Sequence, residues 1–200
     1  QSAMDTTAAG DLWNNTLGMT GTIVSAAGGN NSLYYTLPSL MDDLTVTASV
    51  APGRHAVADT NTHSSIGFVY TGVEGLTLKY GTGKSGAKTA EATSTTVMAS
   101  YAIGSLTFSA SDTVTDNVAA DREVRSYQVA YTVSEDVSLT YGTETFDLTG
   151  NAVDEEVTGL GVSYTTGGMT LSGAIINVEG AANAAAADTD KLSLTAAFAF

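Results

Sequence analysis

The chain has 200 residues, no cysteine, 7 Lys and Arg against 21 Asp and Glu, and a formal net charge of −14 at pH 7. Its few, scattered basic residues exclude nucleic acid as a partner, because phosphate binding needs clustered Lys and Arg, and the lack of cysteine excludes disulfides and thiolate metal sites. Gly, Ala, Ser and Thr dominate, and no stretch approaches the roughly 18 apolar residues of a spanning helix, which excludes a helical membrane protein.

Taken in chain order, residues 1–30 are irregular text punctuated by Gly and Asn. They open QSAMDTTAAG, without a basic segment followed by an apolar run, so either export has removed a signal peptide or the true N-terminus lies upstream. From residue 31 onward, short runs alternate apolar or aromatic residues with small polar ones. Leu76, Leu78 and Tyr80 share one face while Thr77, Lys79 and Gly81 take the other. Leu106, Phe108 and Ala110 oppose Thr107, Ser109 and Ser111, and Tyr127, Val129, Tyr131 and Val133 oppose Gln128, Ala130 and Thr132. In a water-soluble sandwich the second face would carry abundant Lys and Glu; here it carries Gly, Ser, Thr and Ala, which suits a crowded or water-filled interior. Strands are predicted over 33–37, 44–51, 64–71, 76–81, 94–103, 106–112, 123–133, 137–144, 157–165, 169–176 and 191–200, eleven in all. Leu17 to Ala26 could add a twelfth and give a self-contained barrel, although Gln1 to Asn15 lacks the alternation of a preceding strand and Gly18 to Ile23 alternates weakly.

The strands pair through short connections around Pro38 to Asp43, Gly72 to Gly75, Gly104 to Ser105, Ser134 to Asp136 and Thr166 to Gly168. Tyr35, Tyr70, Tyr101, Tyr131 and Tyr164 stand just before these turns, and Tyr80, Phe108 and Tyr141 soon after three of them. Aromatics recurring near turns fit an interfacial girdle, because an amphipathic ring prefers the headgroup boundary, although aromatics also favour strands in general. The opposite ends read as long, acidic loops: Pro52 to His63, Thr82 to Ala92, Asp112 to Asp121, Glu144 to Glu155 and Asn177 to Asp190. Short turns at one rim and long loops at the other match an all-β, transmembrane, antiparallel up-and-down β-barrel whose short turns face the periplasm.

Reactive groups do not converge in this text. His55 and His63 fall in one predicted loop with no nucleophile or HExxH-like spacing, so no enzyme is expected, and a solvated loop outweighs a metal pair. GTGKSG at 81–86 lacks the phosphate-loop spacing and is expected to be a flexible loop. The acidic residues Asp112, Asp116, Asp121, Glu123 and Glu144, Asp147, Asp154, Glu155, Glu156 are able to hold Ca²⁺ through carboxylate oxygens, but neither group has EF-hand spacing. Solvated charge is the preferred account of both, with divalent bridging to lipopolysaccharide as the functional alternative; no other cofactor is expected.

The last strand, KLSLTAAFAF, places Leu192, Leu194, Ala196, Phe198 and Phe200 on one face and closes on Phe200. It resembles the C-terminal signal by which bacterial outer-membrane proteins are recognised for barrel assembly, which gives Phe198 and Phe200 that role. The segment NNSLYYTLPSLMDDLTVTASVAPG resembles the Pro-containing hairpin that follows the inward-folded constriction loop in general porins, and the Gly-rich, acidic text is most similar to porins of alphaproteobacterial type. This resemblance covers roughly residues 30–200 and implies passive diffusion of small hydrophilic solutes and ions, an outer-membrane location, contact with lipid and lipopolysaccharide, and a homotrimer. It also implies a sixteen-stranded barrel with five strands upstream, since single-chain bacterial barrels have even strand numbers. Residues 1–30 would then be the constriction loop or its descending arm, with Asp5 and Asp11 as its acidic contribution, and residues 31–200 the barrel strands. Strand parity points Tyr34, Lys79 and Gln128 to the lumen. The rival from another class is a secreted or surface-attached β-rich adhesin, in which the same aromatics would be buried between two sheets.

Overall fold

The computed structural model describes residues 33–38, 41–52, 62–87, 90–117, 119–185 and 187–199. Eleven strands form one sheet in sequence order, every neighbouring pair antiparallel. They are β1 (Leu33–Thr36), β2 (Leu44–Ala51), β3 (His63–Val73), β4 (Leu76–Ala87), β5 (Ala90–Ile103), β6 (Leu106–Asn117), β7 (Arg122–Thr132), β8 (Val137–Leu148), β9 (Glu155–Thr166), β10 (Met169–Glu179) and β11 (Thr189–Phe198). Among the described residues a single 3₁₀ turn, Ala181–Asn183, lies between β10 and β11.

The short turns fall where the sequence puts them, and each ties its hairpin to the next. The carbonyls of Asp43, Gly75, Ser105, Asp136 and Gly168 accept the amide N–H groups of Thr71, Ala102, Thr132, Thr165 and Ala199. Gly75 shows why glycine is needed: its φ is +76°, and a Cβ there would lie 2.4 Å from the Ala102 carbonyl oxygen.

The strands outrun their expected bounds at the other rim. β4 and β5 run to Ala87 and from Ala90, so most of the expected loop Thr82 to Ala92 is strand, and GTGKSG is extended backbone within β4. Likewise β6 reaches Asn117, β8 reaches Leu148, β9 starts at Glu155, β10 reaches Glu179, and His63 opens β3. The reason is chemical: beyond the apolar stretch the alternation continues in polar residues. Lys84, Thr93 and Asp116 succeed one another across β4, β5 and β6 in the same outward row, and a pattern keyed to apolar side chains stops short of them.

One lateral row shows how the sheet curves. Tyr70, Leu78, Ala99, Ala110, Tyr127, Thr143, Thr158 and Asn177 are successive cross-strand partners. The row meets the third residue of β4, the fifth of β6, the seventh of β8 and the ninth of β10. That is a drift of one residue per strand, and about 3.3 Å of rise over about 4.8 Å of strand spacing gives a tilt of about 35°, the value of a barrel wall.

Side-chain sorting completes the wall. On one face Leu160, Ile175 and Leu192 are 51%, 62% and 74% exposed, while on the other Thr96, Ser94 and Ser126 are 0%, 1% and 2% exposed. A soluble sandwich does the reverse, burying its apolar face. The outward face is therefore the one that requires lipid.

Candidate functional site

The inward face is built from small hydroxyl residues that satisfy one another across neighbouring strands. Ser94 and Thr115 Oγ atoms lie 2.8 Å apart, Thr96 and Thr113 2.9 Å, and Ser109 donates to Ser100 at 3.0 Å. Ser49 pairs with Ser65 in the same way. Such pairs let polar groups be buried in the wall at little cost, since each hydroxyl is both donor and acceptor. On β8 to β11, a hollow of about 330 Å³ is lined by Ser138, Thr140, Ser163, Ser172, Ser193 and Thr195, with Gly161 in its floor.

Charges on this face are few. Among the described residues it holds Lys79, Arg122, Lys191, Glu144 and Glu155, besides His63, as the register dictates. Glu144 and Glu155 are buried, the first accepting from Ser126 Oγ and the second from the Ala182 amide. Arg122 Nε is buried without a hydrogen-bond partner. The outward face takes most of the acids at the strand ends: Glu91, Asp112, Asp116, Glu123, Asp147, Glu156, Glu179 and Asp190. Two cations are paired there, Lys84 with Glu91 at 3.1 Å and Arg125 with Glu123 at 2.6 Å.

Tyr34, Lys79 and Gln128 all stand on the inward face, beside Ser49, between Val69 and Met98, and between Ser109 and Gly142 respectively. They do not converge: Lys79 on β4 and Gln128 on β7 are about 14 Å apart around the wall at about 4.8 Å per strand. Asp5, Asp11, His55 and Phe200 lie outside the described residues.

Tyr35, Tyr70, Tyr80, Tyr101, Phe108, Tyr131, Tyr141 and Tyr164 all stand on the outward face. Their depth varies: counted from the short-turn ends of their strands, Tyr35 and Tyr131 are second and Tyr70 is fourth. Tyr101, Phe108 and Tyr164 are the third residues from the short-turn ends of their strands, while Tyr80 and Tyr141 are the fifth. Tyr80 instead meets Phe68, with ring centroids 6.0 Å apart. Phe198 is outward and 58% exposed, opposite Met169.

The acidic groups expected to sit in loops are dispersed. Asp112 and Asp116 project outward from β6, Asp121 accepts the Asn117 amide in the turn, Glu144 points inward from β8, Asp147 points outward, and Asp154 lies in the β8–β9 connection. Alternation sends Glu144 and Asp147 to opposite sides of the wall, and no three acidic or histidine side chains among the described residues gather as a metal site.

Arg122, Glu155 and Lys191 on the inward face, and the buried Asn183, were not expected there from the sequence. Continuing the parity of β7, β9 and β11 past the apolar stretch would have found the first three. No local pattern marks the fourth.

The family described as Gram-negative porin matches residues 1–200. Among solved structures, the anion-selective porin from Comamonas acidovorans superposes with a TM-score of 0.72 at 12% identity, covering 86% of this chain and 60% of that one. A second porin gives 0.68 at 18% identity, with 84% and 61% covered. The outer-membrane expressed OmpT of Vibrio cholerae gives 0.64 at 15% identity, with 84% and 64% covered. The chain therefore spans about three fifths of the length of these proteins. A search of curated proteins found no match.

Proposed function

The chain belongs to the Gram-negative porin family of the bacterial outer membrane, and we propose that it forms much of the wall of a water-filled pore through which small hydrophilic solutes and ions diffuse passively. The observation that carries this is the sorting of the two faces: hydroxyls and a few charges inward, an exposed aliphatic and aromatic band outward. A lumen lined this way wets readily, and its hydroxyls offer permeating solutes exchangeable hydrogen bonds without trapping them.

Further parts of the assignment rest on the resemblance to general porins. Residues 1–30 supply a constriction with Asp5 and Asp11 as its acidic side, facing a wall that includes Tyr34, Lys79 and Gln128. The outward aromatics act as the interfacial girdle, and Phe198 with Phe200 as the assembly signal. The protein is a homotrimer in contact with lipopolysaccharide, whose anionic groups would meet the outward carboxylates through divalent cations such as Ca²⁺.

Planar-bilayer recording on the full-length protein tests the function. Discrete channels are expected, and replacing Asp5 and Asp11 with Asn should move the reversal potential in a salt gradient away from cation preference. The shift should shrink as the Debye length falls from about 10 Å at 0.1 M salt to about 3 Å at 1 M. An unchanged potential would put residues 1–30 outside the conduction path, and a bilayer without channels would refute the porin function.

A further inference from the structure

The connection between β10 and β11, residues 180–188 with 186 outside the described set, does not extend away from the rim. It folds onto the inward side of the wall. The buried inward side chains Val157, Ile176 and Val178 form an apolar cluster, 1%, 1% and 4% exposed, and Ala181 packs against it. An apolar cluster is out of place in a lumen made of hydroxyls and glycine unless something covers it, because exposed aliphatic surface costs free energy in water.

Three ties hold the covering segment down. Asn183 Nδ2 donates to the Phe146 carbonyl at 2.9 Å and to the Val153 carbonyl at 3.2 Å, which links it to β8 and to the β8–β9 connection. The Ala182 amide donates to the buried Glu155 carboxylate. Gly180, at φ +61°, passes so close that a Cβ would lie 2.5 Å from the Asp154 carbonyl oxygen. Within the segment, Gly180 N–H donates to Asp188 Oδ1 at 3.1 Å and Ala181 N–H to the Ala187 carbonyl at 3.0 Å. Ala182 and Asn183 hold positive φ of 57° and 54°, a conformation that persists only where surrounding contacts over-determine it.

We propose that this segment is a fixed strap that narrows the outer mouth of the pore on its β8–β10 side and limits the size of solute that enters; the proposal rests on the porin function. The strap filters by size and not by charge. Apart from Asp188, whose carboxylate is engaged with Gly180, its described residues are Gly, Ala and Asn. Removing it should therefore widen the path; because excision also uncovers the inward Glu155 carboxylate, the readout that tests the strap is solute size rather than ion preference.

In the full-length protein, residues 180–187 can be replaced by Asn-Gly, which closes β10 and β11 as a two-residue hairpin next to the existing Val178–Thr189 pair. Single-channel conductance should rise and liposome swelling should extend to larger sugars. Asn183→Ala, which leaves the strand ladder whole, should shift both readouts in the same direction by less, and it carries the same expectation should the excision impair assembly. Wild-type conductance and size limit in folded, heat-modifiable variants would overturn the strap. A wild-type protein that forms no channels would overturn the porin function instead, so the two failures are distinguishable.

Discussion

Placing an arginine at adjacent residues of β9 separates the two faces of the wall. Val162 is the fifth residue from the short-turn end of β9, outward and 46% exposed, between Leu139 and Gly173. At a tilt of about 35° each residue climbs about 2.7 Å, so Val162, four rises from Thr166, stands about 11 Å above that end, near half the height of an apolar band about 25 Å tall. From there an arginine is too deep to reach either interface without cost, and Val162→Arg should destabilise the barrel by about 2–4 kcal/mol. At 1.36 kcal/mol per decade, the folding equilibrium falls about 30- to 900-fold. Ser163 faces the hydroxyl hollow beside Ser138 and Ser172. Ser163→Arg places its charge in water and should cost less than about 1 kcal/mol, while lowering single-channel conductance. Reversible denaturant unfolding in lipid vesicles measures the first quantity and bilayer recording the second. Equal destabilisation by the two substitutions would refute the assignment of faces.

Gly75→Ala should cost about 2 kcal/mol or more, because it adds a clash with the Ala102 carbonyl to an unfavourable positive φ, whereas Gly104→Ala, also at positive φ but with open space around it, should cost about 1 kcal/mol. Urea midpoints of the two variants should rank in that order. Thr96→Val should cost about 1–3 kcal/mol by leaving the buried Thr113 hydroxyl without its partner, and adding Thr113→Val should cost less than the sum of the single changes, as a double-mutant cycle would show. Arg122→Gln should move the reversal potential toward cations, whereas Asp147→Asn should leave it in place, since Arg122 faces the lumen and Asp147 the outside. Equal shifts from both would contradict the sorting of charges.

The face of each strand was legible in the sequence wherever apolar residues alternate, because a period of two is a local property. Leu76, Leu78 and Tyr80, and likewise Leu106 and Phe108, stand outward as their spacing requires. Strand length was less legible. Asp116 and Asp147 continue the outward parity, but once the outward side chain is charged it carries the same composition as a loop. That substitution also disguised Glu144, which read as loop acid and stands instead buried on the inward face. The strap was not legible at all. An alanine-rich stretch has no periodicity, and Asn183 derives its place from carbonyls 37 and 30 residues away in sequence, contacts that exist only once β8 and β9 are side by side.

The same geometry explains why a net charge of −14 says little about what the pore prefers. The outward carboxylates at the strand ends are separated from the lumen by the sheet itself and bathed in electrolyte, where the Debye length at physiological salt is about 8 Å. Inward charges act in a narrow aqueous path between low-dielectric walls, which concentrate their field along it. On the described inward face Lys79, Arg122 and Lys191 stand with Glu144 and Glu155, and both of those carboxylates are buried in hydrogen bonds to the wall or the strap. The tilt spreads these groups in height as well as around the circumference: Lys79 is the fourth residue of β4 and Glu144 the eighth of β8, although both lie on one lateral row. In the proposed pore an ion therefore meets the described wall charges in succession rather than as a ring. Selectivity in that pore follows from the order of a few inward groups along the axis together with the constriction, and the outward acids of the described strands stand where the solute does not pass.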